Sequence, residues 1–434
     1  MPCPTIPNPV PALDIPPAGP SGECADAEAC YFAKMKRYWM ILLGLGLLLL
    51  PADDPALGQA QRRPGISPAE RAFLDRHWRR PIPPQGAPPE RFSPVERSLA
   101  PPSCGTCHPV QFADWKTSLH SKSMGPGVAG QLVEMVKTDP EDARTCLNCH
   151  APLAEQASQM PAFDASLQAQ GLVCAGCHVR GHQRFGPPRR DGSMGAAAPR
   201  QSLPHNGVTR TRAFLRSEFC AGCHQFQPDG FALNGTLLEN TYEEWRASPF
   251  AARGVQCQDC HMPDRRHLWR GIHDPETVKG ALRITLEAER PGDEAVVTLT
   301  IASVGVGHHF PTYVTPLVVV RGELVDRAGR PVPGSAEERM IGRQVALDLS
   351  RQIADTRIPA GGQARLVFRR RVDRTGLRFR GTVTVRPDEF YAGFYESLLA
   401  AGAGAGTAQI REAQRAARGS AFVIFERDVP LTRE

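Results

Sequence analysis

The sequence predicts a multidomain α + β protein, in which a mostly helical and irregular region precedes a C-terminal β-sandwich-like domain. Between residues 104 and 275, extended apolar periodicity is sparse, and one five-residue pattern returns five times. After about residue 275, short runs alternate apolar with polar residues or are rich in β-branched residues, and Gly/Pro turns separate them. Short strands at regular spacing with such turns are typical of a β-sandwich.

We expect four segments along the 434 residues. Residues 1–60 are a leader, and residues 61–103 are an extended arm rich in Pro and Arg, with one short helix over 68–78. Residues 104–275 form the domain that carries the repeated pattern. Residues 276–434 form the β domain, which contains no cysteine. A chain of this length can hold two or three domains.

The leader has the pattern of a secretory signal peptide. Basic residues at 34–37 precede an apolar run over 40–50, and small residues follow near Ala60. This order of segments is that of a signal peptide, and the apolar run is too short to span a bilayer. The signal begins most naturally at Met35, so we expect residues 1–34 to precede the true start. A membrane anchor retained after export is the alternative.

The repeated pattern is C-x-x-C-H, the signature of covalent c-type haem attachment. Its two thiols add to the porphyrin vinyl groups, and the adjoining histidine is the proximal ligand of the iron. The thiols assigned to haem are those of Cys104, Cys107, Cys146, Cys149, Cys174, Cys177, Cys220, Cys223, Cys257 and Cys260. The proximal ligands are His108, His150, His178, His224 and His261.

A lone C-x-x-C can be a redox pair or half of a zinc site, so zinc is the alternative. Of the 13 cysteines, every one after residue 30 belongs to a motif, and every pair is followed by histidine. A zinc ribbon has no need of that histidine. We therefore predict five haem c groups, and only Cys3, Cys24 and Cys30 in the leader are unused.

Periodicity and turn signals predict the elements around the motifs. The predicted helices after the arm are 109–120, 131–137, 153–170 (interrupted at Pro161), 211–219, 240–247, 389–400 and 408–417. The predicted strands are 281–288, 295–302, 317–326, 364–372, 381–385 and 421–430. Two stretches, Phe112-x-x-Trp115-x-x-Ser118 and Tyr242-x-x-Trp245-x-x-Ser248, resemble each other as a weak internal repeat.

The net charge of +6 could indicate nucleic-acid or membrane binding. Arginine, however, pairs readily with carboxylates, and five haems bring propionates that need neutralising. We therefore predict no nucleic-acid partner. No membrane span is expected in the mature protein, because the only long apolar run lies in the signal.

The ligand on the far side of each iron decides what the haem does. A second histidine suits electron transfer, whereas an open position permits catalysis. Eight histidines remain after the motifs are assigned. From their positions, His205, His267 and His273 are candidate distal ligands. His182 lies one helical turn after His178, so it is interpreted as a propionate partner or outer hydrogen-bond donor, and His77 in the arm could also reach a haem.

Three stretches resemble the cytochrome c-554-like multihaem family, relatives of the hydroxylamine oxidoreductase group. They are Cys104–His120 (CGTCHPVQFADWKTSLH), the block from Asn240 to Asp274, and Gly307–Thr312 (GHHFPT). The resemblance implies that His120 and His308 are further candidate distal ligands, with His309 as a substitute for His308. If His308 is a ligand, the β domain supplies it across the interface. Haem order is not implied, because the family varies in haem number.

The first functional hypothesis is a periplasmic, or extracellular, electron carrier that passes electrons among closely spaced haems to redox partner proteins. The second is an enzyme in which one iron is left open for a small nitrogen or sulfur compound, with Tyr242, Tyr313 or Tyr391 as proton donor. The third is a structural subunit of a haem filament. No motif has lysine in place of its histidine. No Ser-His-Asp or phosphate-loop signature appears either. The sequence does not determine the oligomeric state.

Overall fold

The computed structural model describes residues 65–195 and 199–432. The leader, with its signal peptide and its three cysteines, lies outside these residues. The described residues belong to one compact unit, with helices predominating before residue 281 and strands after it. The predicted α + β class is confirmed. The division into four segments remains a prediction.

The first half of the chain is built from short helices joined by loops and turns. Its α-helices are α1 (Pro68–His77), α2 (Pro94–Arg97), α3 (Pro101–Gly105), α4 (Pro109–Thr117), α5 (Pro126–Thr138), α6 (Pro140–His150), α7 (Ala165–Gln168), α8 (Cys174–His178), α9 (Ser217–His224), α10 (Thr241–Arg246), α11 (Pro249–Ala252), α12 (Cys257–His261) and α13 (Pro275–Ala281). Its short strands are β1 (Val179–Arg180), β2 (Gln183–Gly186), β3 (Val208–Arg210), β4 (Ala232–Leu233) and β5 (Thr236–Leu237).

The second half contains two antiparallel sheets and a helical hairpin. Its elements are β6 (Leu282–Glu289), β7 (Glu294–Ser303), β8 (Leu317–Val325), β9 (Glu337–Ile341), β10 (Arg343–Val345), β11 (Gln352–Asp355), β12 (Gln363–Arg371), β13 (Arg378–Arg386), α14 (Glu389–Ala401), α15 (Thr407–Arg418) and β14 (Phe422–Pro430). One sheet has the strand order β12-β7-β6, and the other has the order β14-β13-β8-β9. Strands β10 and β11 pair separately.

The two sheets share one apolar core, as a β-sandwich requires. Burial alternates along β7 and β13, because successive side chains point to opposite faces of a sheet. Val297, Leu299 and Ile301 of β7 meet Val383 and Phe379 of β13 in this core. All six predicted strands are confirmed. Strands β9 to β11 were missed, because β9 (Glu-Glu-Arg-Met-Ile) is a mostly exposed edge strand without the apolar alternation that sequence reasoning uses.

Capping residues explain where the helices around the motifs begin. The side chain of Ser67 caps α1, and Glu70 completes a capping box there. The carboxylate of Asp139 caps α6 by accepting from the N–H of Asp142 at 3.1 Å. Sequence reasoning missed α6, although Asp139-Pro140 is a clear helix start. It placed α1, α4, α10, α14 and α15 correctly.

The predicted helix over 153–170 is wrong. The chain there makes a 3₁₀ turn at Ala154–Gln156 and then α7. The carboxylate of Asp164 starts α7 by accepting from the N–H groups of Ser166 and Leu167, at 2.9 and 3.0 Å. Gln156, fully buried, donates to the carbonyls of Leu167 and Gly171 and folds the segment back on itself. Hydrogen bonds from these polar side chains to the nearby backbone thus prevent the continuous helix that the apolar periodicity predicts.

Candidate haem-binding sites

Each motif lies at a short helix or at its C-terminal end. In four of the five, on α6, α8, α9 and α12, the histidine is the last helical residue. In the first motif α3 ends at Gly105, and the N–H groups of Cys107 and His108 both donate to the carbonyl of Cys104. A helical turn brings positions three apart onto one face. Both thiols of a motif therefore face the same side, as attachment to one porphyrin requires.

The tertiary fold brings the five motifs together. Helix α3 packs against α8, α6 packs against α9, and α9 packs against α12. The thiols that lie close enough to interact are Cys104 with Cys174, Cys149 with Cys223, and Cys220 with Cys257. Cys177 is within electrostatic reach of Cys223, which links the third motif to the fourth. All five motifs thus form one connected cluster.

An arginine lies against one thiol of this cluster. The guanidinium of Arg80 lies 3.0 Å from the sulfur of Cys223. Interaction with the Cys149 thiol and with this guanidinium lowers the pKa of Cys223 to about 5 despite its burial.

Three motif histidines face a second histidine at nearly the same distance. The distance between ring centroids and the angle between ring planes are 6.2 Å and 38° for His178 with His267, 6.2 Å and 43° for His224 with His120, and 6.3 Å and 7° for His261 with His308. A metal–imidazole bond is about 2 Å long, so two imidazoles on opposite sides of one metal ion have centroids about 6 Å apart. The residues present therefore fit a haem iron between the two rings of each pair.

Burial keeps three of these rings in the form that binds a metal. Desolvation, together with the charges of His224 and His261, lowers the pKa of His120 to about 3. Desolvation also lowers the pKa values of His178 and His261 to about 4. The rings of His120, His178 and His261 are therefore neutral at physiological pH, and neutral imidazole is the ligating form.

Backbone carbonyls orient the motif histidines. The Nδ1 atoms of His178, His261 and His150 lie 2.9, 2.8 and 2.6 Å from the carbonyl oxygens of Phe185, Arg270 and Ser123. A ring N–H donated from Nδ1 leaves the Nε2 lone pair available to a metal. The same nitrogen is thus aimed at the cofactor in three separate motifs.

Trp269 is a site residue that sequence reasoning missed. Its indole lies edge-on to His120 at 4.6 Å and to His267 at 5.0 Å, and the backbone N–H of Trp269 donates to the carbonyl of His261. Its φ of 42° is left-handed, which is costly for a bulky residue. Trp269 therefore contacts candidate ligand residues of three motifs. The sequence signal that could have identified it is its position in the block that follows the fifth motif.

The other predicted candidates have different surroundings. Burial lowers the pKa of His205, and Arg184 and His108 lower it further, so His205 lies within electrostatic reach of the first motif. His273 Nε2 lies 3.0 and 3.1 Å from the two carboxylate oxygens of Asp388. Three histidines have no ligand assignment. His77 contacts the carbonyl of Cys177, His182 contacts the carbonyl of Gly86, and His309 contacts the carboxylate of Glu244.

His77 gives a pH-dependent contribution to stability. It is 3% exposed, and burial, helped by Arg180, lowers its pKa to about 3 from 6.5. The unfolded chain therefore binds a proton in this window that the folded chain does not, and stability falls as pH drops from 6.5 towards 3. We expect His77→Phe to flatten that fall, measured by denaturant unfolding across the window. Trp78→Phe, which removes no titratable group, should leave the slope unchanged, and an unchanged slope in His77→Phe would contradict the prediction.

Two tyrosines lie within electrostatic reach of the second motif. Helix α6, which carries it, packs against α5, and α5 packs against α15 of the C-terminal hairpin. Burial raises the pKa of Tyr313 and of Tyr391, and the nearby charges that add to this include Cys146. Tyr391 stacks on Tyr395 at 5.4 Å. Tyr313 has a left-handed φ of 66°, and bulky residues in this conformation cluster at functional sites.

The comparisons with known proteins agree with this geometry. Residues 103–179, which include the first three motifs, match the family model of cytochrome c554 and c-prime. The chain is similar to the crystal structure of a penta-heme cytochrome c552 from Thermochromatium tepidum, with TM-score 0.56 and 16% identity over 78% of this chain and 100% of that chain. No curated protein sequence matches at a significant level.

A second solved structure, the X-ray structure of Northeast Structural Genomics Consortium target SoR45, aligns with TM-score 0.17 and 12% identity over 35% of this chain and 87% of that chain. A likeness this weak does not indicate a shared fold.

The fold is therefore similar to that of a penta-heme cytochrome c552. Residues 103–179 carry the pattern of the cytochrome c554 and c-prime family, which confirms the resemblance predicted from the first of the three stretches. The findings support a role in haem-based electron transfer. Within residues 65–195 and 199–432, no helix is long and apolar enough to cross a membrane. In the same ranges, no three His, Cys, Asp or Glu side chains converge as a zinc site would require.

Proposed function

We propose that the protein is a periplasmic electron carrier with five covalently attached haem c groups, most of them bound by two histidines. The observation that carries this proposal is the spacing of 6.2 to 6.3 Å in three histidine pairs. On this proposal, the distal ligand is His267 at the third motif, His120 at the fourth and His308 at the fifth. His205, near His108, is the fourth distal ligand. His273 is a partner of Asp388 rather than a ligand.

The packing of the motif helices supports transfer between neighbouring haems. The first motif adjoins the third, the third adjoins the fourth, and the fourth adjoins both the second and the fifth. Haem iron supplies reversible one-electron chemistry. The protein supplies close spacing, orientation of the imidazoles and exclusion of water. Redox partner proteins would exchange electrons with the exposed motifs, of which the first has an exposed Cys107.

The test is the mass of the mature protein together with its EPR spectrum. We expect the mass to exceed that of the polypeptide by five haem groups, and at least four low-spin bis-imidazole signals to appear in the oxidised protein. His308→Ala should convert one of these low-spin signals to a high-spin signal while leaving five haems attached. A colourless product with the bare polypeptide mass, or unchanged low-spin signals in His308→Ala, would contradict the proposal.

A second candidate function is an enzyme or ligand-binding protein with one open iron, and the surroundings of the second motif favour it. Each of the eight histidines outside the motifs has another assigned contact, so none is left for the iron above His150. Tyr313 and Tyr391, buried near Cys146, would instead face that iron. A phenol beside an open iron can donate a proton to a small bound ligand.

This second candidate predicts one high-spin haem per chain in the wild-type protein. Carbon monoxide added to the reduced protein should bind one haem of the five. Tyr391→Phe should change the spectrum of that carbon monoxide complex, whereas Tyr242→Phe, in a different part of the chain, should not. Five low-spin signals and no carbon monoxide binding would exclude an open iron and leave the carrier.

A further inference from the structure

The internal repeat seen in the sequence is also a repeat in structure. Its first copy, repeat A (residues 112–118), lies on α4, and its second copy, repeat B (residues 242–248), lies on α10. Both copies have an acidic residue directly before the tryptophan, and both tryptophans are buried at 6% and 8% exposure. In each copy, the tryptophan and the acidic residue also make corresponding hydrogen bonds to residues outside the copy.

The tryptophan of each copy holds the start of a haem motif. The indole N–H of Trp115 donates to the carbonyl of Leu172 at 2.8 Å, and that of Trp245 donates to the carbonyl of Val255 at 2.9 Å. Leu172 lies two residues before the third motif, and Val255 lies two residues before the fifth. The tryptophans therefore fix equivalent points on α8 and α12.

A second bond makes the two copies equivalent. The N–H of Leu172 donates to the carbonyl of His120, and the N–H of Val255 donates to the carbonyl of Phe250, both at 3.0 Å. His120 and Phe250 each follow the tryptophan of their copy by five residues. Phe250 thus occupies in repeat B the place that the distal ligand His120 occupies in repeat A.

The acidic residue of each copy holds a loop that carries a distal histidine. In repeat A, the Asp114 carboxylate accepts from Arg266 Nε and Nη2 at 2.7 and 2.6 Å, and from the N–H of His267 at 3.0 Å. In repeat B, the Glu244 carboxylate accepts from Arg357 Nη1 at 2.5 Å and from the N–H of His309 at 3.2 Å. His309 follows His308, the ring that faces His261.

We propose that each repeat is a clamp that fixes both sides of one haem pocket. Repeat A holds the attachment helix of the third motif through its tryptophan and the loop with that motif's distal histidine through its aspartate. Repeat B does the same for the fifth motif with Trp245 and Glu244. The inference rests on the proposed function, since it assumes haems at these two motifs. Asp114 and Glu244 are positioning residues, which act on the iron through the histidine loops.

Buried charge gives the clamp its strength. Asp114 and Glu244 are 5% and 6% exposed, and each carboxylate accepts charge-assisted bonds from an arginine as well as a bond from the loop backbone. Interactions one shell outside a metal ligand set its orientation, and losing one costs about 10- to 100-fold in metal affinity. Substituting either acidic residue should therefore weaken one distal ligand and leave the other haems unchanged.

The test uses EPR of the full holoprotein. His267→Ala and His308→Ala first identify the low-spin signals of the third and fifth motifs. We expect Asp114→Asn to shift or diminish only the signal that His267→Ala removes, and Glu244→Gln only the signal that His308→Ala removes. In the reduced variants, the carbon monoxide concentration that half-displaces the affected histidine should fall by about 10- to 100-fold.

Matched variants separate the possible outcomes. Glu243→Gln, an exposed neighbour that pairs with Arg246, should leave both signals unchanged. If Asp114→Asn does not fold, Arg266→Gln tests the clamp instead. This arginine is half exposed, so its substitution should leave the fold intact and produce the same change in the EPR signal of the third motif. Unchanged signals in Asp114→Asn and Glu244→Gln, or equal changes at every haem, would overturn the clamp while leaving the proposed function intact. A wild-type protein without haem at these motifs would overturn the proposed function itself.

Discussion

Replacing Arg357 by methionine is expected to lower the free energy of unfolding by about 3–5 kcal/mol. The side chains of Arg357 and Glu244 are each 3% exposed, so the substitution leaves a buried carboxylate without its counter-charge. Arg357 also pairs with Asp355 at 2.7 Å. Denaturant unfolding followed by far-UV circular dichroism measures the change.

The matched control for Arg357 is Arg330→Met. Arg330 pairs with Asp326 at 2.8 Å, but its side chain is 80% exposed, and exposed ion pairs contribute only about 0–1 kcal/mol. The control should therefore unfold almost as the wild type does. A loss below about 1 kcal/mol in Arg357→Met as well would show that the buried pair does not stabilise the fold, since removing one partner of such a pair costs more than that.

Replacing Phe368 by alanine is expected to lower the free energy of unfolding by about 3–5 kcal/mol. Phe368 lies on β12 with no exposed surface, and its ring meets that of Phe379 of the opposite sheet edge-on at 4.9 Å. Truncation removes a contact between the two sheets and leaves a cavity that the surrounding strands cannot fill completely. The same unfolding experiment measures the loss.

The neighbouring residue on the same strand provides the control for Phe368. Val367 points to the opposite face of β12 and is 45% exposed, so Val367→Ala should change the unfolding free energy by no more than about 0.5 kcal/mol. Equal effects of the two substitutions would contradict the sandwich core described above.

The strand-rich second half of the chain places one of its histidines against a motif histidine. His308 lies in the loop between β7 and β8, and the anchor of that loop, Glu244, lies on α10 next to the fourth motif. Arg343, 1% exposed, donates to the carbonyls of Leu233, Thr236 and Leu237 and so joins β10 to the β4–β5 hairpin. Buried polar contacts of this kind require both halves of the chain to fold together.

Much of the fold could be predicted because its signals are local. Some predicted strands follow from the alternation that a sheet with one buried face imposes, as in β7 and β13. Others follow from a run of β-branched residues, as in the almost fully buried β8. The failures also have local causes. The helix predicted over 153–170 ignored the capping carboxylate of Asp164 and the buried amide of Gln156, and the edge strand β9 has too few apolar residues to show a period.

The residues of the candidate site also differ in whether a local sequence signal reveals them. Each C-x-x-C-H motif is a run of five contiguous residues, so its thiols and its histidine can be read from spacing alone. The candidate distal ligands lie far along the chain from the histidines that they face, and no spacing rule relates His267 to His178 or His308 to His261. Of the five candidates drawn from the sequence, three face a motif histidine at the distance that suits an iron.

The sequence by itself determined the haem-attachment chemistry, the α + β class and the strands of the sandwich, because each depends on neighbours within a few residues. Only the tertiary structure decided which histidines face each other, that Trp269 touches two of them, and that the acidic residues of the two repeats hold the ligand loops. These contacts join segments up to 153 residues apart. Their geometry depends on how helices and sheets pack, and that packing is a property of the whole folded chain.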